Sequence, residues 1–273
     1  MYNNISDFHM HSAFSDDSDA SARSMVEQAV SLGLPSVCFT EHNDFDYPLE
    51  DGKTVFNINL PEYIKSIESL KHEYRDKIDI RTGIEQGLMK SVCDRVNSFD
   101  SDKELDFIIG SSHLVNGADP YYPDFWDGFD IRRGIITYYE SILENVNTCS
   151  NFDVYGHIDY IIRYIPKDRI FEYRESDYLE IIDELLRSII GHGKGIEINT
   201  AGFKYGLNRP NPSDFIIKRY RELGGEIITT GSDAHAPEHI AFAFEKVPDI
   251  LKNAGFKYYT VFKKRRPEFI KLD

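Results

Sequence analysis

Seven short apolar segments recur along the chain, and each carries a histidine or an acid near its C-terminal end. They are DFHMH, SVCFTEH, DIRTGIEQG, DFIIGSSHLV, DVYGHIDY, GIEINTAG and EIITTGSDAH. Helical patterns separate them. In SDYLEIIDELLRSIIG the apolar positions Tyr178, Ile181, Ile182, Leu185, Leu186, Ile189 and Ile190 follow a 3.6-residue period, with Ser176 as the expected cap and Gly191 as the stop. PSDFIIKRYRELGG predicts a second helix, capped by Ser213 and ended at Gly224. SMVEQAVSLG predicts a third, opened by the capping-box pair Ser24 and Glu27, and Pro61 fits the first turn of PEYIKSIESLKHEY.

Strands that alternate with helices predict a parallel sheet of βα units. An open doubly wound sheet would spread the strand ends along an edge, with its ligand at one switch point. A closed barrel gathers every strand end onto one rim, where the active sites of such barrels lie. His11, His42, Glu85, His113, His157, Glu197 and Asp233 all stand at strand ends, so the pattern favours the barrel. The absence of a Pro/Gly/Ser linker predicts one unit over residues 1–273.

Six of the nine histidines lie in or just after these segments: His9, His11, His42, His113, His157 and His235. His9 and His11 sit at strand spacing, which turns both to one face and sets Phe8 and Met10 on the other. Taken singly, each histidine is more readily a hydrogen-bonded core residue than a ligand. Together, with Asp17, Glu85 and Asp233 among them, they form a titratable set whose burial is costly unless it is paired or binds metal. Imidazole and carboxylate suit zinc, manganese or iron, and nine ligands suit two or three ions. The other three histidines, His72, His192 and His239, read as surface residues.

The formal charge is −15. A nucleic-acid binder shows a basic footprint, whereas the one basic run here is the short KKRR at 263–266, so no nucleic-acid partner is expected. No apolar run reaches the roughly 20 residues of a membrane span, and no secretion signal is visible. Three cysteines without CxxC spacing predict free thiols, a buried Cys38 and a cytoplasmic location. Oligomeric state is not readable from the sequence.

HMHSAFSDDS, TEHND, GIEQG, GSSH, YGHIDYIIRY, EINTAG and GSDAH, in that order, resemble the signature motifs of the PHP (polymerase and histidinol phosphatase) superfamily, from residue 7 to about residue 266. GSSHLV, GHIDYIIRY, EINTAGFKYG and the stretch from NPSDF to GSDAHAPE most resemble stand-alone histidinol-phosphate phosphatases. The resemblance implies an α/β fold, a distorted (β/α)7 TIM-like barrel of PHP type. It implies a first ion on His9, His11, Glu85 and Asp233, and a second bridged by Glu85 and completed by His113 and His157. Asp17, His42 and His235 would hold a third. Asp16 and Asp19 are left as solvated charges, and Asp44 as a turn residue or a support for the ligands. Arg163 matches the arginine that grips the substrate phosphate. Lys204 stands where the resemblance leads one to expect arginine. Glu197 and Asn199 either orient ligands or serve structure alone.

The expected activity is a metal-dependent phosphomonoesterase. It hydrolyses L-histidinol phosphate to L-histidinol and phosphate, in histidine biosynthesis, by attack of a hydroxide bridging two ions (Zn, Fe or Mn). Asp233 takes or shuttles a proton, Arg163 and Lys204 bind the phosphate, and no serine or cysteine serves as nucleophile. The alternatives are another PHP-type phosphoesterase acting on a nucleotide or small ester, and a non-catalytic metal-stabilised interaction module.

Overall fold

A computed structural model describes residues 4–49, 55–99, 104–127 and 130–272. Seven parallel strands follow one another around a nearly closed barrel: β1 (Asp7–Met10), β2 (Ser36–Asn43), β3 (Asp79–Gly87), β4 (Phe107–Ser111), β5 (Val154–Tyr155), β6 (Gly195–Asn199) and β7 (Ile228–Gly231). Each pairs with its neighbour in sequence. The last strand meets the first through two backbone bonds. His11 N donates to Ala234 O and Asp233 N donates to His9 O, both at 2.8 Å. The residues that close the barrel are therefore those whose side chains face its rim. The strands are buried along almost their whole length, as expected of a parallel sheet covered by helices.

The helices are α1 (Ala22–Leu32), α2 (Leu60–Tyr74), α3 (Cys93–Ser98), α4 (Asp124–Asp127), α5 (Ile131–Thr148), α6 (Leu179–Gly191), α7 (Ala201–Lys204), α8 (Asp214–Glu222) and α9 (Val247–Ala254). Ser213 caps α8 through Ile216 N, and Pro61 lies in the first turn of α2, as the sequence predicts. Two caps differ. Helix α1 starts one turn earlier than its capping-box pattern suggests, because Ser21 accepts the Ser24 N–H. Residues 175–178 form a 3₁₀ turn, so α6 begins at Leu179 without a side-chain cap and Ser176 lies outside it.

The base of the barrel is closed by an antiparallel hairpin of β8 (Tyr258–Lys263) and β9 (Arg266–Lys271). Phe8 of β1, Phe107 of β4 and Phe262 of β8 form an aromatic column there, with ring centroids 5.7 and 4.9 Å apart. Phe8 thus packs across the barrel below the histidines. The KKRR run is the hairpin's turn. Lys264 N donates to Asp106 Oδ1 and Arg265 N to Asp106 O, while Arg265 Nε reaches Asp153 Oδ2 at 2.6 Å.

The cysteines correct the sequence expectation. Cys93, which opens α3, and Cys149, just past α5, are joined as a disulfide, their Cα atoms 5.0 Å apart. They lie 56 residues apart in sequence, so no local spacing announces the pair. Bonds from Asn97 to Thr148 O and from Asn151 to Val96 O hold the two segments together. Cys38 is free and buried, as expected.

Candidate metal centre

The distant segments converge at the C-terminal rim. Glu85, near the end of β3, lies at the centre. Its Oε1 is 3.1 Å from His113 Nε2 and 2.9 Å from His157 Nε2. Its Oε2 is 3.2 Å from His9 Nε2, 3.4 Å from His11 Nε2 and 3.2 Å from His42 Nδ1. One carboxylate therefore presents an oxygen to each of two groups of imidazoles, the arrangement a bridging ligand requires. Asp233 Oδ1 lies 3.5–3.7 Å from His9, His11 and His235. Farther out, Asp17 Oδ2 is 3.5 Å from His42 Nε2 and 3.0 Å from His235 Nε2.

Donor atoms lie within 4.8 Å of one another in three sets: His9, His11 and Glu85; His42, Glu85 and His113; and His11, His42 and His235. His9 Nε2, His11 Nε2, His42 Nδ1 and His157 Nδ1 are buried without a hydrogen-bond partner. Buried polar atoms are ordinarily paired. A cluster of nitrogen and carboxylate donors left open in this way fits a multinuclear metal site. The structure gathers all nine sequence-derived candidates, with His42 and His11 each shared between sets.

The ligand side chains are themselves held in place. His9 Nδ1 lies 2.6 Å from Glu197 Oε1, and His113 Nδ1 lies 2.6 Å from Asp44 Oδ2. A carboxylate behind a ligating imidazole fixes its tautomer and raises its basicity. Two glycines make these contacts possible. A Cβ on Gly231 would fall 2.3 Å from His9 Cβ and 2.4 Å from Glu197 Oε1, and one on Gly87 2.5 Å from the Asp44 carboxylate. Asp233 itself takes a left-handed backbone, φ 55°, as β7 turns inward. Behind His11, the buried Glu41 accepts Ser12 N, Ser12 Oγ and Ser15 Oγ, and Ser15 Oγ lies 3.2 Å from His11 Nδ1.

The electrostatics have one common cause. Burial disfavours an imidazolium. Around His9 it is outweighed by Glu197, Glu85 and Asp233, which hold that ring well above its ordinary pKa. Asp44 and Glu85 do the same for His113. His42 is pushed up to about 9 by Glu85 and Asp17 against its burial. His11 goes the other way, down to about 3, through burial and the neighbouring His235 and His42. Burial would raise Glu85 and Asp233, but His9 and the other imidazoles hold both well below the carboxylate range. The acids demand positive charge, and without ions the cluster supplies it as protons. Divalent ions taken up by the same atoms would displace those protons.

The rim opens into a cleft of about 450 Å³. Arg163 lines it, its guanidinium carbon 4.2, 4.8 and 4.5 Å from the ring centroids of Tyr160, Tyr164 and Tyr205. Lys204 Nζ, also in the lining, lies 4.8 Å from the Tyr205 ring centroid. The tyrosine cage has one signal in the sequence, Tyr160, Arg163 and Tyr164 at one-turn spacing. His239 is not a plain surface residue. It lines the cleft half-buried, and burial together with Lys204 lowers its pKa. Asp44 bonds the candidate ligand His113, whereas Asp16 sits apart and accepts Phe56 N.

Comparison with known proteins agrees with this geometry. The PHP domain model matches residues 7–201. The histidinol-phosphatase of Lactococcus lactis is 34% identical over 94% of this chain and 93% of its own length. That of Saccharomyces cerevisiae is 25% identical, covering 87% of each chain. The crystal structure of histidinol phosphate phosphatase from Lactococcus lactis, complexed with zinc, L-histidinol and phosphate, superposes with a TM-score of 0.89 at 31% identity, over 97% of this chain and 99% of that one.

Proposed function

The chain belongs to the PHP domain family and, within it, to the histidinol-phosphatases, and from that premise we propose how it works: it is a metal-dependent phosphomonoesterase that hydrolyses L-histidinol phosphate to L-histidinol and inorganic phosphate. The observation that carries the reading is Glu85, whose two oxygens face two separate groups of imidazoles at the mouth of a cleft lined by a caged arginine. The donor set would hold two or three divalent ions: His9, His11, Glu85 and Asp233 would take the first, Glu85, His113 and His157 the second, and Asp17, His42 and His235 the third. Zinc, iron and manganese all accept this donor set. When bound, such ions acidify water and draw charge from phosphoryl oxygens.

The chain's own residues do the rest. Arg163, charged at all working pH values, clamps the phosphate through its planar fork, and its three tyrosines fix the fork's direction. Lys204 adds a second positive charge from the end of α7. Glu197, Asp44 and the Ser15–Glu41 pair keep His9, His113 and His11 aimed. Asp233 Oδ2, 3.3 Å from Asn199 Nδ2, is the atom that takes the proton from the attacking water. The serines near the ligands are engaged elsewhere. Ser111 Oγ donates to Glu85, Ser112 Oγ meets Tyr155 Oη and Ser232 Oγ donates to Asp7. Direct hydrolysis without a phosphoenzyme follows. Among the described residues no helix is long and apolar enough to cross a membrane; the proposed substrate belongs to histidine biosynthesis, and the proposed location is cytoplasmic.

The test is phosphate release by the metal-loaded enzyme from L-histidinol phosphate, mononucleotides and sugar phosphates, with Arg163→Met alongside. A strong preference for L-histidinol phosphate is expected, with kcat/KM lowered about 100-fold in the variant through loss of charge-assisted bonds. Equal turnover of all esters by the wild type, or an unaffected variant, refutes the assignment.

A further inference from the structure

Helix α5 turns an apolar face to the barrel, with Ile131, Ile135, Tyr138, Ile142 and Val146 buried along it. Asn145 interrupts that face. It is 3% exposed and stands one turn after Ile142. Asparagine is a weak helix former, and a buried amide is costly unless it is bonded. An apolar residue at this place would suit helix and core alike. The reason for the amide lies in its partners.

Asn145 Nδ2 donates to Leu88 O at 2.9 Å and to Ser112 Oγ at 3.1 Å, and it lies 3.4 Å from Tyr155 Oη. Leu88 O can only accept, so the amide turns its nitrogen, not its oxygen, to this node. Ser112 Oγ and Tyr155 Oη are themselves joined at 2.6 Å. The three partners belong to three successive strand ends. Leu88 follows β3 and lies three residues past Glu85. Ser112 follows β4 and directly precedes His113. Tyr155 ends β5, two residues before His157. Glu85, His113 and His157 are the donors assigned above to the second ion, and the two imidazoles meet at Glu85 Oε1. The other donors of the first ion, His9, His11 and Asp233, come from β1 and the turn after β7. The amide is anchored from outside as well. Cys149 N donates to Asn145 O at 2.8 Å, and the disulfide to Cys93 ties that end of α5 to the helix after β3.

We propose that Asn145 is a positioning residue for the second ion. It sets the spacing of the β3, β4 and β5 ends and so pre-forms the donor set of Glu85, His113 and His157. The proposal deepens the metal-dependent reading above and rests on it. Groups that orient metal ligands from behind are worth about 10- to 100-fold in metal affinity. Asn145 acts through the strand ends rather than on the ligand side chains, which places it at the lower end of that range.

The experiment titrates zinc into wild type, Asn145→Asp, Tyr155→Phe and Ile142→Val against a coloured competing chelator, with ions per chain counted by elemental analysis. Asn145→Asp keeps the shape and sets an acceptor against Leu88 O. Tyr155→Phe removes one hydroxyl of the node and keeps the ring. Ile142→Val trims the same helix face one turn away and controls for lost packing. In Asn145→Asp one zinc per chain is expected to bind about 10-fold more weakly, with the remaining sites within a factor of about 3. Tyr155→Phe should weaken the same ion less, by about 3-fold, as for one neutral hydrogen bond. At limiting zinc, kcat for L-histidinol phosphate should fall in Asn145→Asp with KM nearly unchanged, and excess zinc should restore it. Ile142→Val should lower the melting temperature and leave every zinc affinity at its parental value. If Asn145→Asp fails to fold, the Tyr155→Phe titration decides in the same terms. Parental zinc affinities in both node variants would overturn the proposal, as would an equal loss at every site. A wild type that takes up no zinc would instead remove the metal-dependent reading on which the proposal stands.

Discussion

The two ends of the barrel both bury acids, and they satisfy them differently. At the base each acid has a permanent partner. Asp153 is paired with Arg265 at 2.6 Å, and Asp106 takes Lys71 at 3.2 Å and the backbone N–H groups of Thr82 and Lys264. At the rim Glu85, Asp233 and Asp17 face imidazoles, whose charge comes and goes with a proton. The base is complete as a protein structure, whereas the rim needs something from solution. That contrast separates a stabilising end from a working end without reference to any relative, as barrel architecture leads one to expect.

The largest break in the contrast is Glu85→Gln. The amide retains the volume but not the second anionic oxygen, so the two imidazole groups lose their shared acceptor. Phosphate release should fall about 1,000-fold or more, given the several kcal/mol that metal-ion charge stabilisation supplies. Elemental analysis should show fewer ions per chain, with the circular dichroism spectrum retained. Full metal content with full activity would remove Glu85 from its central role.

Arg265→Ala strikes the other end. Removing one partner of a buried pair strands the other, at a cost of about 3–5 kcal/mol. Urea unfolding should report that loss, while kcat/KM per folded molecule stays within a factor of about 2. A variant as stable as the parent would show that Asp153 is satisfied without the guanidinium.

A smaller effect sharpens the comparison through pH. The folded-state pKa of His42, about 9, lies above the roughly 6.5 of a free imidazole. Its paired proton therefore stabilises the metal-free fold in full below pH 6.5, and that stabilisation is lost as pH rises through 9. Chelator-treated protein should melt at progressively lower temperature across this window, by a few degrees. Metal-loaded protein should hold its melting temperature there, because ions replace the protons. Parallel behaviour of the two forms would mean that the cluster does not exchange protons for metal.

Much of this was legible in the sequence because strands announce themselves periodically. Each βα unit repeats the same local pattern, and parallel pairing forces all seven strand ends to one side, so the convergence of His9, Glu85, His157 and Asp233 follows from topology. What lacked a local signal was missed. Ser24 and Glu27 made a plausible capping box, but Ser21 captured the Ser24 N–H and moved the start of α1. Cys93 and Cys149 meet only because α3 lies against the end of α5. The KKRR run reads only as a short basic stretch, and nothing local tells that Arg265 carries its charge to the buried Asp153. His239 reads as a surface residue of a helical PEHIAF, a local pattern that says nothing about the cleft it lines.

The base hairpin also governs when the molecule can become itself. Ser6 N meets the Tyr259 hydroxyl at 3.2 Å across 253 residues, and β1 closes on the turn after β7 at nearly the same remove. Contacts between such remote partners form late and slowly. A nascent chain emerging from the ribosome has its first histidines long before Asp233, His235 or the hairpin exist. The donor set is therefore complete only once β7 and the turn after it have been made, and the same long-range closure that seals the barrel brings its last members into place.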